Sequence, residues 1–161
     1  MYAESMTTQA ASPNLTIDLS RDERDLAVVR AFLDAFEAKD LDAALALMSD
    51  DVVYQNVPFP ADRGKAATAR TLKAFGKVVN GFSVEMRNIA ARDGVVLTER
   101  VDTLSGPFVH VEIWVCGTFE VKEGRITLWR DYFDLASATA QLFTGPVRKL
   151  FGRGREKSAR S

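Results

Sequence analysis

The sequence predicts an α+β fold, with three N-terminal helices packed on a curved, mixed and largely antiparallel β-sheet. Two observations favour this class. Up to about residue 79, apolar residues recur mainly at helical spacing. After Gly81 the chain changes to four runs typical of strands, separated by short turn sequences. Helices that precede a sheet in this way are expected to cover one of its faces.

Three segments of the first half are predicted to be helices. Ser20 and Glu23 match a capping box, which predicts that the first helix begins at residue 20. Its apolar stripe consists of Leu26, Val29, Leu33 and Phe36. Asp40 is a candidate N-cap for a short second helix over residues 41–48, and residues 64–79 predict a third helix.

Five segments are predicted to be strands. Residues 52–59 alternate between apolar and polar types and end at two prolines, which interrupt the hydrogen bonding of a strand. The four later runs comprise residues 82–91, 95–104, 108–121 and 125–135. The turn sequences between them are Asp93-Gly94, Ser105-Gly106-Pro107 and Glu123-Gly124.

The length of 161 residues allows one domain with a sizeable core. We assign that domain to residues 20–145. Residues 1–19 are rich in small and polar types without a period, and they predict a disordered N-terminal tail. Residues 146–161 predict a solvated, basic C-terminal tail.

Composition argues against several classes of function. A net charge of −1 with 27% charged residues predicts no nucleic-acid partner. The apolar runs are too short to span a bilayer, and the N-terminus lacks the features of a secretory signal. Cys116 is the only cysteine, which favours a reducing, cytoplasmic setting. His110 is the only histidine, so a zinc site would lack ligands and the chemistry is expected to depend on Asp, Glu, Arg and Tyr.

Polar residues on otherwise apolar strand faces indicate a candidate site. Side chains two residues apart in a strand share a face. Arg100 and Asp102 are therefore neighbours in one predicted strand, and Asp131 lies in the middle of a largely apolar face of another. Tyr54 and Asn56 share a face of the first predicted strand.

These residues admit two interpretations. A carboxylate on an apolar face is costly without a partner, and the planar guanidinium of Arg100 is suited to bridge two carboxylates. The cluster of Asp102, Arg100 and Asp131 is then either a structural ion pair that fixes strand order or a reactive site. Two acids share one base, so one carboxyl is expected to hold a proton near neutral pH. Tyr54 and Asn56 add hydrogen-bonding groups, which favours a small-molecule site in an apolar pocket.

Three short segments resemble the signature segments of the limonene-1,2-epoxide hydrolase family. They are Tyr54-Gln55-Asn56, TERVD at residues 98–102 and WRDYFD at residues 129–134. Their order and separation also match, and the resemblance extends over about residues 25–135, most closely to the mycobacterial members. It implies the cone-shaped, cystatin-like fold shared with nuclear transport factor 2 and ketosteroid isomerase, with a pocket inside the cone. It also implies a homodimer packed through the sheet.

The resemblance implies a role for each polar residue. Asp131 resembles the general base, Asp102 the general acid, and Arg100 the bridge between the two carboxylates. Tyr54 and Asn56 resemble the residues that hold the attacking water. The implied reaction is direct addition of water to a neutral, lipophilic epoxide of the terpene, sterol or fatty-acyl class, which gives a vicinal diol without a cofactor or a metal.

Apolar residues of the first helix, the third helix and the sheet are expected to line the substrate pocket. The candidates are Leu33, Phe36, Phe75, Leu104, Ile113, Val115 and Phe133. Trp114 and Cys116 stand where the limonene-active type has smaller or aliphatic residues, so the pocket is expected to differ in shape.

Two alternatives stay open. An isomerase or cyclase on the same cone would use one Asp as a base at a carbon acid, with Tyr54 and Asp102 as oxyanion donors. Arg100 between the acids argues against this reaction because it favours ionised carboxylates. A non-catalytic scaffold would hold a lipophilic ligand or a partner in the cone without any reaction.

Overall fold

The computed structural model describes residues 19–106 and 110–134. This part of the chain contains helices α1 (Leu19–Glu37), α2 (Leu41–Ala46) and α3 (Lys65–Val78), and strands β1 (Met48–Val57), β2 (Asp62–Arg63), β3 (Gly81–Arg92), β4 (Val95–Ser105), β5 (His110–Lys122) and β6 (Arg125–Phe133). The predicted tails lie outside the described residues, apart from Leu19, which begins α1. No helix within the described ranges is long and apolar enough to cross a membrane.

One six-stranded sheet organises the described chain, in the order β2-β1-β6-β5-β4-β3. Neighbouring strands are antiparallel except for β1 and β6, which are parallel. The predicted α+β class with a mixed, largely antiparallel sheet is therefore confirmed. The parallel pair places β1 beside β6, the first and last strands of the described residues, so that both halves of the sequence contribute to the centre of one sheet.

Two of the predicted turns connect antiparallel strands. Asp93 and Gly94 have φ values of 53° and 84°, and Glu123 and Gly124 have φ values of 51° and 72°. Two consecutive residues with positive φ are typical of the type I′ turn, whose twist suits a two-residue hairpin loop. These turns align β3 with β4 and β5 with β6. The third predicted turn, residues 105–107, lies partly outside the described residues.

The core lies between α1 and the inner face of the sheet. Phe32 of α1 is fully buried, and its ring contacts Trp129 edge-on, with 4.9 Å between the ring centroids. The ring of Phe119 lies 6.1 Å from that of Phe32. Val96 and Ile126 are fully buried in the same cluster. Aromatic packing thus holds α1 on the face of the sheet that also carries the polar residues of the candidate site.

The boundary between α2 and β1 differs from the prediction. The helix predicted over residues 41–48 ends at Ala46, and β1 begins at Met48, earlier than expected. Met48 pairs with Ile126, and the Ile126 amide donates to the carbonyl of Leu47 at 2.9 Å. Pairing with β6 therefore extends β1 towards the N-terminus. The pattern of apolar residues along the chain cannot predict this start of β1, because it depends on pairing with a strand that is distant in the sequence.

Two smaller features also differ from the prediction. α1 includes Leu19, so Ser20 lies inside the helix and is not its N-cap. β2 is absent from the predicted strands because its two residues pair only with Val53 and Tyr54, and a strand of this length has no periodic pattern.

Phe32→Ala is expected to lower the free energy of unfolding by about 3–5 kcal/mol, because the substitution leaves a cavity against Phe119 and Trp129. Val78→Ala, at a residue that is 65% exposed, is the control and should change it by less than about 0.5 kcal/mol. Denaturant titration at fixed protein concentration measures both values. Equal effects of the two substitutions would contradict the packing described here.

Candidate active site

A buried, charged cluster lies on the inner face of the sheet. Alternation along β4 turns Thr98, Arg100 and Asp102 to this face, and alternation along β6 does the same for Trp129 and Asp131. Arg100 is 0% exposed, Asp102 is 7% exposed and Asp131 is 5% exposed. Charged residues are rarely buried to this extent unless they are paired. The pairing therefore decides the chemistry of the cluster.

Arg100 connects the two carboxyl groups. Its Nε donates to both oxygens of Asp102, at 2.9 and 3.1 Å, and its Nη2 donates to Asp131 Oδ2 at 2.6 Å. Its Nη1 donates to the hydroxyl of Thr98 at 3.0 Å. The structure thus brings together the three charged residues singled out in the sequence. Thr98 had no assigned role, although its position on the same face of β4 was a usable signal.

Tyr54 and Asn56 lie on β1, beside Asp131. In the parallel pair of β1 and β6, Asn56 is opposite Asp131 and Tyr54 is opposite Trp129. The Asn56 amide donates to the phenolic oxygen of Tyr54 at 2.7 Å, so the phenolic proton stays available for another acceptor. Asp131 Oδ1 is buried and has no hydrogen-bond partner in the part of the chain that is described.

Burial dominates the protonation of the two acids. Burial raises the pKa of Asp102 to about 6 against the opposing effect of Arg100, and Asp131 and Glu37 add smaller raising effects. Burial also raises the pKa of Asp131, again against Arg100. Two carboxyl groups with raised pKa values around one guanidinium favour a state in which the pair holds one proton.

Tyr54 and Arg100, the other two ionisable groups of the site, each keep one protonation state near neutral pH. Burial raises the pKa of Tyr54, and the negative charge of Asp131 acts in the same direction, so the phenol stays neutral. Burial alone would lower the pKa of Arg100, but the two carboxylates outweigh it and raise the pKa, so the guanidinium stays charged. The protons that can move within the cluster are therefore those of the carboxyl groups.

A cavity of about 120 Å³ adjoins the cluster. This volume is well above the roughly 10–15 Å³ that a single water molecule requires. The polar residues of its lining are Tyr54, Asn56, Asp102 and Asp131, whereas Arg100 does not line it. A bound molecule would therefore meet the two acids directly, with the compensating positive charge behind them.

Six of the seven apolar residues predicted for the pocket line this cavity. They are Phe36, Phe75, Leu104, Ile113, Val115 and Phe133. The prediction for Leu33 is wrong, since Leu33 is buried in the core and does not line the cavity. α1 reaches the cavity only with Phe36, which lies in its last turn. Leu72, Phe82 and Trp129 complete the lining and were missed. Leu72 lies three residues before Phe75 on the same side of α3, and Trp129 lies two residues before Asp131 on the same face of β6. These spacings could have identified both residues as part of the lining.

The expectation that Trp114 and Cys116 change the shape of the pocket is wrong. Trp114 is 65% exposed and Cys116 is also exposed, so both side chains lie on the outer face of the sheet. Val115 between them faces inward and lines the cavity. Strand alternation therefore separates these two residues from any ligand in the cavity.

The arrangement combines a proton donor, a proton acceptor and a hydrogen-bonding pair at one apolar cavity. Such a constellation suits general acid–base chemistry, in which a carboxyl group with a pKa near the working pH transfers a proton efficiently. Among residues 19–106 and 110–134, no group of three His, Cys, Asp or Glu side chains is arranged to hold a metal ion.

Comparisons with known proteins identify relatives of this chain. The profile of the limonene-1,2-epoxide hydrolase catalytic domain matches residues 23–144. Epoxide hydrolase EphG of Mycobacterium tuberculosis is 46% identical over 123 residues, which cover 76% of this chain and 78% of the relative. A solved M. tuberculosis epoxide hydrolase that resembles limonene-1,2-epoxide hydrolase is 42% identical, with a TM-score of 0.75 over 82% of this chain and 98% of its own.

The fold also occurs in more distant proteins. A solved protein of unknown function from Burkholderia pseudomallei, similar to nuclear transport factor 2, is 15% identical, with a TM-score of 0.68 over 75% of this chain and 98% of its own. That likeness shows the fold alone, because this architecture hosts unrelated activities. The profile match over residues 23–144 and the 46% identity to the mycobacterial hydrolase show that the chain belongs to the limonene-1,2-epoxide hydrolase family of epoxide hydrolases.

Proposed function

We propose that this protein adds water to a neutral, lipophilic epoxide and forms a vicinal diol without a cofactor. One observation carries the proposal. Two buried carboxyl groups, bridged by Arg100, reach one apolar cavity together with Tyr54 and Asn56. The identity of 46% with a mycobacterial epoxide hydrolase supports the reaction class.

The two carboxyl groups divide the acid and base work. Asp131, in its ionised form, takes a proton from water as the water oxygen attacks an epoxide carbon. Asp102, in its protonated form, gives its proton to the epoxide oxygen as the carbon–oxygen bond breaks. Water is a weak nucleophile and an alkoxide is a poor leaving group, so both transfers lower the barrier. The step leaves a diol, a protonated Asp131 and an ionised Asp102.

Arg100 makes the site reusable. It donates to Asp102 and to Asp131, so the cluster contains one positive and one negative charge both before and after the reaction. The proton then returns from Asp131 to Asp102 while the guanidinium balances whichever carboxyl is ionised. A fixed cation between the acids therefore supports a cycle that needs no external charge compensation.

Tyr54 and Asn56 hold the attacking water in this proposal. The amide of Asn56 donates to the phenolic oxygen, which leaves the phenolic proton available for the water oxygen. Asp131 Oδ1, buried and without a hydrogen-bond partner in the described chain, is available to accept a proton from that water. Because burial keeps Tyr54 neutral by raising its pKa, the phenol does not compete as a base.

The lining of the cavity favours an uncharged and apolar substrate. Apart from Asp102 and Asp131, the residues that line it carry no charge, so none of them would pair with a charged substrate. Aromatic rings form much of the wall, with 5.0 Å between the ring centroids of Phe36 and Phe82. We therefore propose a terpene, sterol or fatty-acyl epoxide whose reacting end is free of ionised groups.

The outer face of the sheet is proposed to bind a second copy of the chain. Leu97, Trp114 and Tyr132 lie on this face and are 54%, 65% and 45% exposed. Exposed apolar patches of this kind mark interaction surfaces. A symmetric homodimer is the commonest assembly that covers such a patch.

Asp131→Asn is expected to lower the rate of diol formation at least about 100-fold, because a proton-transfer role contributes roughly 10²–10⁴-fold. The assay uses limonene oxide, a sterol epoxide, an epoxy fatty acid and styrene oxide, with EDTA present. Asp34→Asn, at an exposed carboxylate of α1, is the matched control and should keep the parent rate. Equal rates for the parent and Asp131→Asn would refute the assigned base. A folded parent that forms no diol would favour the isomerase or scaffold alternative.

The value of kcat/KM is expected to fall as the pH rises above about 6. The proposed acid acts only when protonated, and burial raises the pKa of Asp102 to about 6. Its protonated fraction then decreases about tenfold for each further pH unit. A pH–rate profile with a neutral epoxide measures the effect. A flat profile from about pH 6 to about pH 9 would rule out Asp102 as the acid.

A single turnover in ¹⁸O-labelled water is expected to place the label in the diol and none in Asp131. Direct attack by water transfers the solvent oxygen to the epoxide carbon. A covalent aspartyl ester would instead leave solvent oxygen in the carboxyl group when the ester is hydrolysed. Mass spectrometry of the diol and of the peptide that contains Asp131 distinguishes the two routes, and label in that peptide would overturn direct attack.

A further inference from the structure

Gly117 lies in β5, between the two strands that carry the charged cluster. Arg100 belongs to β4 and Asp131 to β6, and β5 separates these strands in the sheet. Gly117 is opposite Thr98 on one side and opposite Asp131 on the other. The side chain of Arg100 therefore crosses β5 beside Gly117 to reach Asp131.

The guanidinium occupies the space where a side chain of Gly117 would begin. Neighbouring strands are about 4.8 Å apart, so β4 and β6 are roughly 10 Å apart and the arginine must extend across the strand between them. A Cβ atom at Gly117 would lie closest to Arg100 Nη1, 2.5 Å from Thr98 Oγ1 and 2.9 Å from Asp131 Oδ1. Real Cβ contacts essentially never fall below 3.0 Å, so some part of the cluster would have to move.

Backbone conformation does not explain this glycine. Gly94 and Gly124 have positive φ values, but Gly117 does not. A glycine inside a strand weakens the strand and often marks the close approach of another group. Here that group is the arginine head, whose Nη1 donates to Thr98 at 3.0 Å and whose Nη2 donates to Asp131 at 2.6 Å.

We propose that Gly117 is a positioning residue of the active site, because its missing side chain lets Arg100 cross β5 and bind both carboxyl groups. Its effect on turnover rests on the proposed function, whereas its effect on the packing of the cluster does not. Gly117 does not line the cavity, so it acts through Arg100 and not on the substrate.

A methyl group at Gly117 has a predictable electrostatic consequence. The charged and titratable groups around Asp131 are Arg100 and Asp102 from β4 and Tyr54 from β1, and Glu37 of α1 acts on Asp102. Arg100 lowers the pKa of Asp131 against the effect of burial. When the methyl group displaces the guanidinium, that pKa rises further. The base is then ionised only at higher pH.

The kinetic experiment compares Gly117→Ala with Gly76→Ala. For Gly117→Ala we expect kcat to fall about 100-fold, KM to stay within about threefold, and the acidic limb of the pH–rate profile to move to higher pH. Gly76 lies on an exposed part of α3, where an added Cβ has nothing within 4 Å, so its variant should keep the parent profile. An unchanged kcat and pH profile for Gly117→Ala would overturn the proposal.

A second measurement is independent of turnover. Gly117→Ala is expected to lower Tm by about 5 °C in the parent, as overpacking of a filled site does. In an Arg100→Met background, which removes the guanidinium, the same substitution should lower Tm by less than half as much. If the parent hydrolyses no epoxide, the proposed function fails while this comparison still tests the inference.

The outcomes of the thermal comparison are decisive in both directions. A smaller loss of Tm in the Arg100→Met background, or folding of Gly117→Ala only in that background, supports the inference. Each loss is measured against the matching Gly117 protein, so the cost of Arg100→Met itself cancels. Equal losses in both backgrounds would show that another neighbour, such as Thr98 Oγ1, excludes the methyl group, and the inference would be overturned.

Discussion

The architecture depends on one guanidinium that is buried in the centre of the sheet. Arg100 has no exposed surface, and each of its three nitrogens donates to a side chain of β4 or β6. A charge in this position is costly unless other charges and hydrogen bonds compensate it. Asp102 and Asp131 supply that compensation, and burial would disfavour their own ionised forms without the arginine. Strands β4 and β6 are therefore coupled electrostatically across β5.

The burial that requires this pairing also changes the protonation of the two acids. Burial raises the pKa of Asp102 to about 6 and raises that of Asp131, while Arg100 acts against it in both cases. When burial raises the pKa of a carboxyl group and a neighbouring arginine limits that rise, the group exchanges a proton near neutral pH, where an exposed aspartate would be fully ionised. The aromatic core around Phe32 and Trp129 lies on the same face as the cluster, and so the packing that holds α1 on the sheet also contributes to the burial of the acids.

Much of the site could be predicted because strand alternation is local. Residues two apart share a face, which is why Arg100 was expected beside Asp102 and Tyr54 beside Asn56. The lining was predicted less completely, because helical spacing places Leu33 and Phe36 on one stripe but does not report that only Phe36 reaches the cavity. The start of β1 was misplaced for a related reason, since Met48 becomes part of the strand through its pairing with β6.

The amino-acid sequence by itself determined the class of the fold, the three signature segments and the side chains that share each strand face, because these properties follow from residue type and spacing. Only the tertiary structure decided that β1 pairs in parallel with β6, which places Asn56 opposite Asp131. Only it decided that Arg100 crosses β5 to reach that acid. The tertiary structure also decided the protonation of the two acids, because the free energy of a buried charge depends on atoms from several helices and strands at once.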